Sequence, residues 1–424
     1  MVLPEFTSAQ VSVSTVPAAL FTLAGGFALC VLGYLFRALS EPISKVLRAT
    51  FQAISQRRSE QTRSVAALYA VLAMGIAADA LKVGLTGQFG YLGDATLVTI
   101  ESARWYSQPL EIASTLKVMA IFGLSVAAFR SGNRRPARVL FPALLVAVPL
   151  SLATGMKEAF LDVVLAIVIP YVLMRARLKL VPLVLVGLLF VTVVTPFVTQ
   201  LRLDVRGPEA LSVDRALERT WAGALQEDGY FAALDPVHSG LQVLSRLRQV
   251  DNFAIISDTT PRIVPFQDSS AILVAPLEGV VPRVVWPDKP VRLAGYEFYK
   301  VYYQGQGQSS SAITPQGSLY MHGGLGVLFV GMFFIGVFVR ALDDGLQARG
   351  STHAALFLLL IAPVVVKQEM DVPGFLAALP IVFVTWVVGI IALFPSRSWS
   401  IAQSPDRLHD RPDRFSARTR STPI

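Results

Sequence analysis

Nine long apolar segments, separated by polar stretches, constrain this chain more than any other feature. A helix needs about 20 mostly apolar residues to cross the roughly 30 Å hydrocarbon core of a bilayer. Because no water is available there to bind backbone groups, such segments must be helical. The segments span residues 16–36, 64–83, 112–129, 139–154, 159–174, 180–199, 325–342, 353–366 and 375–394. We therefore predict an all-α polytopic membrane protein with about nine transmembrane helices.

The composition excludes several other classes of protein. Hydrophobic residues make up 53% of the 424 residues and charged residues only 16%, whereas soluble domains carry about 25% charged residues. This excludes an ordinary soluble enzyme and a disordered chain. The single cysteine, Cys30, excludes an intrachain disulfide scaffold. The net charge of +8 is typical of a membrane protein whose basic residues are concentrated in cytoplasmic loops. We therefore expect no nucleic-acid partner.

The loop charges predict the orientation. If the nine segments cross the membrane in alternation, five polar segments fall on one side and together carry 21 basic and seven acidic residues. These segments are residues 37–63, 130–138, 175–179, 340–352 and the tail after 394. Because basic loops stay in the cytoplasm, we predict that the N-terminus lies outside and the C-terminus inside.

The first of these basic segments has the pattern of an amphipathic helix. Residues 37–63 carry Val46, Leu47, Phe51 and Ile54 at spacings that suit one helix face. Basic residues occupy other positions of the same segment. We predict that this helix lies at the inner headgroup surface.

The remaining polar stretches divide the chain into four parts. We predict a membrane bundle of about six spans over 1–199, a large periplasmic loop over 200–323, a second bundle of about three spans over 324–394 and a disordered cytoplasmic tail over 395–424. The loop holds 11 basic and 13 acidic residues. Its apolar run 271–281 is too short to span a bilayer and is predicted to form a helix that lies on, or dips into, the outer face of the bundle.

A proline-rich element follows that short run. Residues 282–290 read Pro-Arg-Val-Val-Trp-Pro-Asp-Lys-Pro, and three prolines predict an extended, rigid backbone. Such a backbone would hold Arg283 and Lys289 beside Trp286, whose ring suits a membrane interface. Contacts with lipid headgroups are one role for such cations, and this role suits Lys289 better than Arg283.

The order of these features resembles the Wzy-type oligosaccharide repeat-unit polymerases of bacterial envelopes. The likeness is carried by Ser-Arg-Leu-Arg-Gln at 245–249, the 282–290 element, Thr-Pro-Gln-Gly at 314–317, Tyr320 and Gly-Gly-Leu-Gly-Val at 323–327. Those polymerases similarly have a large periplasmic loop in their second half, followed by a glycine-rich helix start. The chain departs from the family pattern at 154–158, where Thr-Gly-Met-Lys-Glu stands in place of Gly-Ser-Arg-Gly, and at His322, where an aromatic residue or Asn is usual.

The resemblance implies an activity and a location. It implies a glycosyltransferase-type polymerase of the bacterial inner membrane that joins repeat units carried on undecaprenyl diphosphate, at the periplasmic face. The expected partners are this lipid-linked oligosaccharide, membrane lipids, and a flippase and a chain-length regulator of the same pathway. No cofactor or metal is expected, since the outer loop lacks Asp-x-Asp and any His, Asp and Glu cluster with ligand spacing.

Substrate-binding residues are expected to be cations and aromatic residues on the outer side, because a diphosphate leaving group needs positive charge. These candidates are Arg202, Arg206, Arg246, Arg283, Trp286, Lys289 and Tyr320. Ion pairs within the loop are the alternative role for Arg202, Arg206 and Arg246.

A catalytic base for the acceptor hydroxyl is expected among carboxylates and histidines near the outer surface. These candidates are Glu158, Asp162, His322, Glu369 and Asp371. A structural ion pair with Lys157 or Lys117 is the alternative for Asp162. Asp79 and Lys82, three residues apart, are expected to pair with each other.

Two other functions stay open. An O-antigen ligase uses the same donor with lipid A-core as acceptor, and sequence pattern separates it from a polymerase only weakly. A flippase or other transporter of lipid-linked oligosaccharide predicts inverted repeats and charges throughout the depth of the bundle. No internal repeat is visible, and the intramembrane charges lie mainly towards the outer ends.

Overall fold

The computed structural model describes ten stretches of the chain. They are residues 15–86, 104–130, 137–175, 180–206, 211–225, 250–291, 294–304, 313–346, 351–366 and 371–396. Within them the regular structure is helical, and the β-type pairing they contain is a single isolated bridge between Arg58 and Ser396. The all-α prediction is confirmed for this part of the chain.

The helices are numbered in chain order. They are α1 Thr15–Leu35, α2 Arg37–Arg57, α3 Val65–Thr86, α4 Ser107–Arg130, α5 Ala137–Ala153, α6 Lys157–Arg175, α7 Leu180–Leu189, α8 Thr195–Arg206, α9 Val213–Leu225, α10 Val250–Thr259, α11 Ser270–Val280, α12 Ala294–Tyr302, α13 Pro315–Leu346, α14 Thr352–Val366 and α15 Val372–Leu393. A π-helical turn, Phe190–Val194, joins α7 to α8 without a break.

Six of the described helices are long and apolar enough to cross a membrane. They are Thr15–Leu35, Val65–Leu85, Ser107–Arg130, Leu183–Val205, Pro315–Leu346 and Val372–Leu393. Three shorter apolar helices accompany them, Arg138–Ala153, Ser270–Val280 and Thr352–Val366. Each of the nine apolar segments of the sequence contains helix in the structure, so the protein is a helical membrane protein.

The centre of the larger core is α4. Met119, Phe122 and Leu124 of this helix are fully buried, and α4 packs against α3, α6 and α15. Neighbouring helices add Trp386, whose indole nitrogen donates to the carbonyl oxygen of His353 at 2.9 Å. This burial explains why α4 keeps apolar residues on every face, which is typical of a helix inside a bundle.

The closest helix pair is α1 and α13, and glycines permit its approach. Gly33 of α1 lies against the backbone of Phe333, and Gly336 of α13 lies against the backbone of Cys30. A Cβ atom at either glycine would overlap the facing carbonyl oxygen. Small residues at such crossings let two membrane helices pack backbone to backbone.

A matched pair of substitutions tests this crossing. Gly84 of α3 has no atom within 4 Å of a Cβ built on it, so Gly84→Ala should stabilise the protein by about 0.5–1 kcal/mol through helix propensity. Gly33→Ala should instead destabilise it by about 1–3 kcal/mol through overpacking. Thermal unfolding in detergent measures both, and stabilisation by Gly33→Ala would contradict the close crossing.

The amphipathic helix predicted in the first basic segment is α2, and its faces differ in part from the prediction. Leu47, Phe51 and Ile54 pack against the bundle, with the Phe51 ring 5.2 Å from that of Trp386. Val46, predicted on the same side, is 66% exposed, so this assignment was wrong. One residue turns the chain by about 100° around a helix, and Val46 therefore points away from the face of Leu47.

A polar junction joins the end of α2 to α14. The Glu60 carboxylate accepts from the backbone N–H of Thr352 at 2.7 Å and from the hydroxyl of Ser351, and it lies 3.2 Å from Nδ1 of His353. Burial by itself would raise the pKa of Glu60. The hydrogen bond and charge of His353, with the hydrogen bonds of Thr352, outweigh burial and lower this pKa to about 2. Glu60 thus satisfies donors at the start of α14.

The junction makes stability depend on pH. The pKa of Glu60 falls from an ordinary 4.5 to about 2, so its stabilisation is complete above pH 4.5 and is lost as the pH falls towards 2. We expect Glu60→Gln to cost about 1–3 kcal/mol at neutral pH and to flatten the loss of stability in acid. Thermal unfolding of both proteins between neutral pH and about pH 3 provides the measurement. Parallel pH curves would show that Glu60 makes no such contribution.

Helix α8 continues through Arg206 and so extends into the segment predicted to be the outer loop. Four further helices lie wholly within the described part of 200–323, namely α9, α10, α11 and α12. The short apolar run forms α11, as predicted, and α11 packs against α15. Gly279 of α11 lies against the carbonyl of Ala377, which fixes the end of α11 just before the proline-rich element.

Candidate functional site

The proline-rich element 282–290 is a series of turns and not the extended segment predicted. The carbonyl of Pro282 accepts from the N–H groups of Val285 (2.9 Å) and Trp286 (3.1 Å), and the carbonyl of Trp286 accepts from Lys289 (3.2 Å). Pro287 suits the second turn, 286–289, because a fixed φ near −65° is the geometry of the first corner of a type I turn. The element is therefore compact, with three of its backbone N–H groups bonded to its own carbonyls.

The Arg283 guanidinium holds the element together. Nη1 donates to the carbonyl of Lys289 at 2.5 Å and to that of Pro287 at 3.5 Å. Nη2 donates to the carbonyl of Pro290 at 3.1 Å. The guanidinium is thereby fixed against the backbone before any ligand arrives.

The Arg283 guanidinium keeps donors that the element does not use. Arginine has five N–H donors, and the three hydrogen bonds of Arg283 use Nη1 twice and Nη2 once. Within the described part of the chain, Nε makes no hydrogen bond. Its N–H is therefore available to an oxygen of a phosphate or carboxylate.

Lys289 is the second cation of the element. Its Nζ donates to the carbonyl of Val281 at 3.3 Å. Burial lowers the pKa of Lys289, the positive charge of Arg283 lowers it further, and the carboxylate of Glu278 opposes both effects. Glu278 itself is buried on α11. Lys289 thus stabilises the turn through its hydrogen bond to Val281. Of the two cations in the element, Arg283 is the one that lines a cavity.

That cavity is open and has a volume of about 540 Å³. Its walls come from two distant parts of the sequence, and the lining residues are Arg104, Trp105, Tyr106, Arg283, Val284 and Pro287. The Arg104 guanidinium carbon lies 5.9 Å from the centre of the Tyr106 ring, and Trp105 packs edge-on against Tyr106. The cavity therefore combines two arginines with exposed aromatic surface.

A hydrogen bond joins the two walls. Nε2 of Gln108, in the first turn of α4, donates to the carbonyl of Gly279 at 3.1 Å. Sequence reasoning missed the wall formed by 104–106, since it lies about 180 residues before Arg283. The available signal was Arg-Trp-Tyr directly before an apolar span, a pattern of membrane-interface residues.

Trp286 and Tyr320 lie outside this cavity lining. Trp286 is half-buried within the turns of the proline-rich element. Tyr320, on α13, packs its ring edge-on against Phe253 of α10 at 5.6 Å. Tyr320 therefore joins the smaller core of the loop helices, and the structure does not bring it to the cavity of Arg283.

His322 lies at a break in α13. Its Nδ1 is 2.8 Å from the carbonyl oxygen of Ser318, and its side chain is buried. The next two residues, Gly323 and Gly324, leave helical geometry, and Gly324 has a φ of +67°, a region that favours glycine. The carbonyl of His322, freed by this break, accepts from the Ser269 hydroxyl.

Asp371 is committed to a structural role. Its side chain accepts from the N–H of Gly374 at 3.0 Å and caps the N-terminus of α15. The next residue, Val372, donates its N–H to Ser318 Oγ at 3.0 Å. An aspartate in this position is a common N-cap, which accounts for Asp371 without a catalytic role.

A second group of candidates meets at the turn between α5 and α6. Arg202 Nε donates to the carbonyl of Gly155 at 2.7 Å, which brings α8 to this turn. Glu158 is exposed in the first turn of α6, and Asp162 lies half-buried one turn later. The structure thus places Arg202 next to the segment that carries these carboxylates.

The side chains of three candidates lie outside the part of the chain that the structure describes. Arg246 and Glu369 lie outside the described residues. Arg206 is the last residue of α8, and its side chain is likewise outside the described part. Among the described residues, no group of three or more His, Cys, Asp or Glu is arranged to hold a metal ion.

The intramembrane charges pair differently from the prediction. Lys117 of α4 pairs with Asp79 of α3, and Lys82 pairs with Glu111. The predicted Asp79–Lys82 pair is wrong, because each of these two residues pairs instead with an oppositely charged residue of α4. Asp79 and Lys117 are largely buried, and their pairing across the helices satisfies two charges that hydrocarbon would penalise. Lys117 is therefore not the partner considered for Asp162.

Hydrogen exchange tests the anchoring of Arg283. Arg283→Gln removes the bonds to Lys289 and Pro290, so we expect amides of 281–291 to exchange roughly tenfold faster, since a charged hydrogen bond contributes about 1.5 kcal/mol. Arg262→Gln is the control, because Arg262 is an exposed arginine whose bonds go to Asp258 within four residues. Unchanged exchange at 281–291 in the Arg283 variant would contradict the anchoring.

Comparison with known proteins gives a family. A family model described as a domain of unknown function, DUF8712, matches residues 94–346. Neither the curated proteins nor the solved structures contain a match to the chain. The matched region includes both walls of the Arg283 cavity and more than half of the chain. The chain therefore belongs to the DUF8712 family.

Proposed function

We propose that the protein is a Wzy-type polymerase that joins oligosaccharide repeat units carried on undecaprenyl diphosphate. The observation that carries the proposal is the Arg283 guanidinium, which hydrogen bonds hold against the backbone beside a cavity that Arg104 and Trp105 also line. The proposal includes nine membrane spans, an external N-terminus and a location in the bacterial inner membrane.

The chemistry explains why a fixed arginine is useful. The acceptor hydroxyl attacks the anomeric carbon of the donor sugar, and the bond from that carbon to the diphosphate oxygen breaks. The diphosphate leaves with the bonding electrons, so negative charge grows on its oxygens. Donors that are already oriented stabilise this charge without reorganising during the reaction. Arg283 supplies such donors, Arg104 adds positive charge, and Trp105 offers a surface on which a sugar ring can stack.

The position of the cavity supports an active site on the outer side. Arg104–Tyr106 directly precede the first residue of α4, Ser107, and Arg130 ends the same helix. A helix of 24 residues is about 36 Å long, enough to cross the membrane. Arg130 donates to the carbonyl of Glu60, within the first basic segment. The cavity and the basic loops thus lie at opposite ends of α4, and basic loops belong in the cytoplasm.

The proton of the acceptor hydroxyl requires a base. Glu158 and Asp162, beside Arg202, are the described carboxylates proposed for this role, with Glu369 as a further candidate. Asp371 is disfavoured because its carboxylate caps α15. His322 is disfavoured because its Nδ1 lies against the Ser318 carbonyl and its side chain is buried.

Substitution of Arg283 in cells tests the proposal. Arg283→Ala should abolish polymer while leaving the single-repeat product. Arg283→Lys should reduce polymer by about 10²-fold, since it keeps the charge but loses the paired donors. Arg104→Gln should lower polymer without speeding exchange at 281–291. Arg262→Gln is the matched control and should give normal polymer. Wild-type chain length in Arg283→Ala, at normal expression and topology, would overturn the role of Arg283 in binding the diphosphate.

Deletion of the gene separates the rival functions. Loss of a polymerase leaves single repeat units on the surface lipid or the carrier. Loss of an O-antigen ligase leaves long chains stranded on the carrier, and loss of a flippase leaves repeat units on the cytoplasmic leaflet. Glycan banding with leaflet-specific labelling distinguishes the three outcomes, and only the first supports the proposal.

A further inference from the structure

Helix α2 presents three different faces, and only one of them packs against the bundle. Ser40, Ser44 and Phe51 are buried, and Leu47 lies against Gly345 of α13. These positions recur at intervals of three and four residues, so they form one stripe along the helix. That stripe docks α2 onto the ends of α13, α14 and α15.

The second face is apolar and open. Leu39, Ile43 and Val46 are 43%, 42% and 66% exposed. Their spacing of four and three residues aligns them in a stripe, which lies about 100° around the helix from the buried one. Three large apolar side chains are therefore exposed side by side along two turns.

The third face is cationic and lies opposite the apolar one. Arg37, Lys45 and Arg48 lie on this side, together with one acid, Glu41. Glu41 pairs with Lys45 at 2.9 Å. Arg48 donates to the Ser44 hydroxyl at 3.0 Å. At about 100° per residue these positions are roughly 160° from the apolar stripe.

The depth of α2 is set by what it contacts. Leu47 lies against Gly345, the residue before α13 ends at Leu346. Just after α2, Arg58 donates to the carbonyl of Phe394, the first residue beyond α15. Helix α2 therefore runs alongside the ends of membrane-spanning helices, where hydrocarbon gives way to headgroups.

We propose that α2 is an in-plane helix that binds anionic phospholipid, with Leu39, Ile43 and Val46 among the acyl chains and Arg37, Lys45 and Arg48 against the headgroup phosphates. An apolar stripe opposite a cationic one is the arrangement that suits a helix at a bilayer surface. Each basic residue near an anionic surface contributes about 1 kcal/mol of attraction. The inference rests on the membrane setting and not on the polymerase proposal.

Lipid binding to α2 has a measurable consequence for the whole protein. Its buried stripe is packed on α13, and the ring of Phe51 meets those of Phe357 and Trp386. A ligand that binds only the folded state of a protein raises the stability of that state by mass action. Anionic lipid should therefore stabilise the bundle through α2.

The first experiment measures this stabilisation. The full chain is placed in nanodiscs of phosphatidylcholine alone or with phosphatidylglycerol, and its unfolding temperature is recorded. We expect phosphatidylglycerol to raise the wild-type unfolding temperature, and the rise to be lost in Arg37→Gln/Lys45→Gln/Arg48→Gln. The control, Arg215→Gln/Arg262→Gln/Lys300→Gln, removes the same charge from exposed positions of the large loop and should keep the rise. An equal rise in both triple variants would overturn the proposal.

The second experiment measures depth and does not depend on charge removal. The native cysteine is first removed by Cys30→Ser. A bimane probe is then attached to the cysteine introduced by Val46→Cys or, in a second variant, by Lys45→Cys. Phosphatidylcholine with brominated acyl chains should quench the probe at 46 several-fold more than the probe at 45. Equal quenching at both positions would overturn the in-plane orientation. Quenching at neither position, in a folded protein, would show that a protein surface and not lipid covers this face.

Discussion

The interaction on which this structure depends is the hydrogen bond from an arginine to a backbone carbonyl where a helix or turn ends. A helix leaves its last four carbonyls without internal partners, and each carbonyl that packing removes from water needs another donor. Arg58 and Arg63 donate to carbonyls at the end of α15, and Arg130 donates to the carbonyl of Glu60. Arg202 and Arg283 likewise donate to backbone carbonyls of turns. Arginine side chains therefore close helix ends and turns in this structure.

Arg283 differs from Arg58 and Arg63 because it also lines a cavity. Arg58 and Arg63 lie against the end of a packed helix, so their hydrogen bonds complete the fold. The bonds of Arg283 to Lys289 and Pro290 hold the guanidinium in place, and the cavity beside it is shared with Arg104. This long side chain loses its conformational entropy when the protein folds, so binding a ligand does not carry that cost. The guanidinium is in this sense preorganised.

The elements of the fold follow from sequence, and the pairings of side chains do not. Hydropathy is a local property, so each apolar segment and the short run at α11 could be located from the residues alone. Charge pairing is not local: Asp79 meets Lys117 across two helices and not Lys82 in its own helix. The candidate site, too, could be predicted only where it depends on local sequence. Arg283 was visible in its proline-rich motif, but its turn conformation and its partner Arg104 depend on packing between distant segments.

The break in α13 explains how the site is held rigid. At Gly323–Gly324 the helix is interrupted, and the carbonyls it leaves must find other donors. The N–H of Gln267 donates to the carbonyl of Met321 at 2.8 Å, and the hydroxyl of Ser269 donates to the next carbonyl. These donors come just before α11, so one end of α11 is tied to α13. The other end is tied to α4 and α15 through Gly279. Arg283, four residues beyond Gly279, thus follows a helix fixed at both ends, and the break in α13 helps to position the cation just beyond the end of α11.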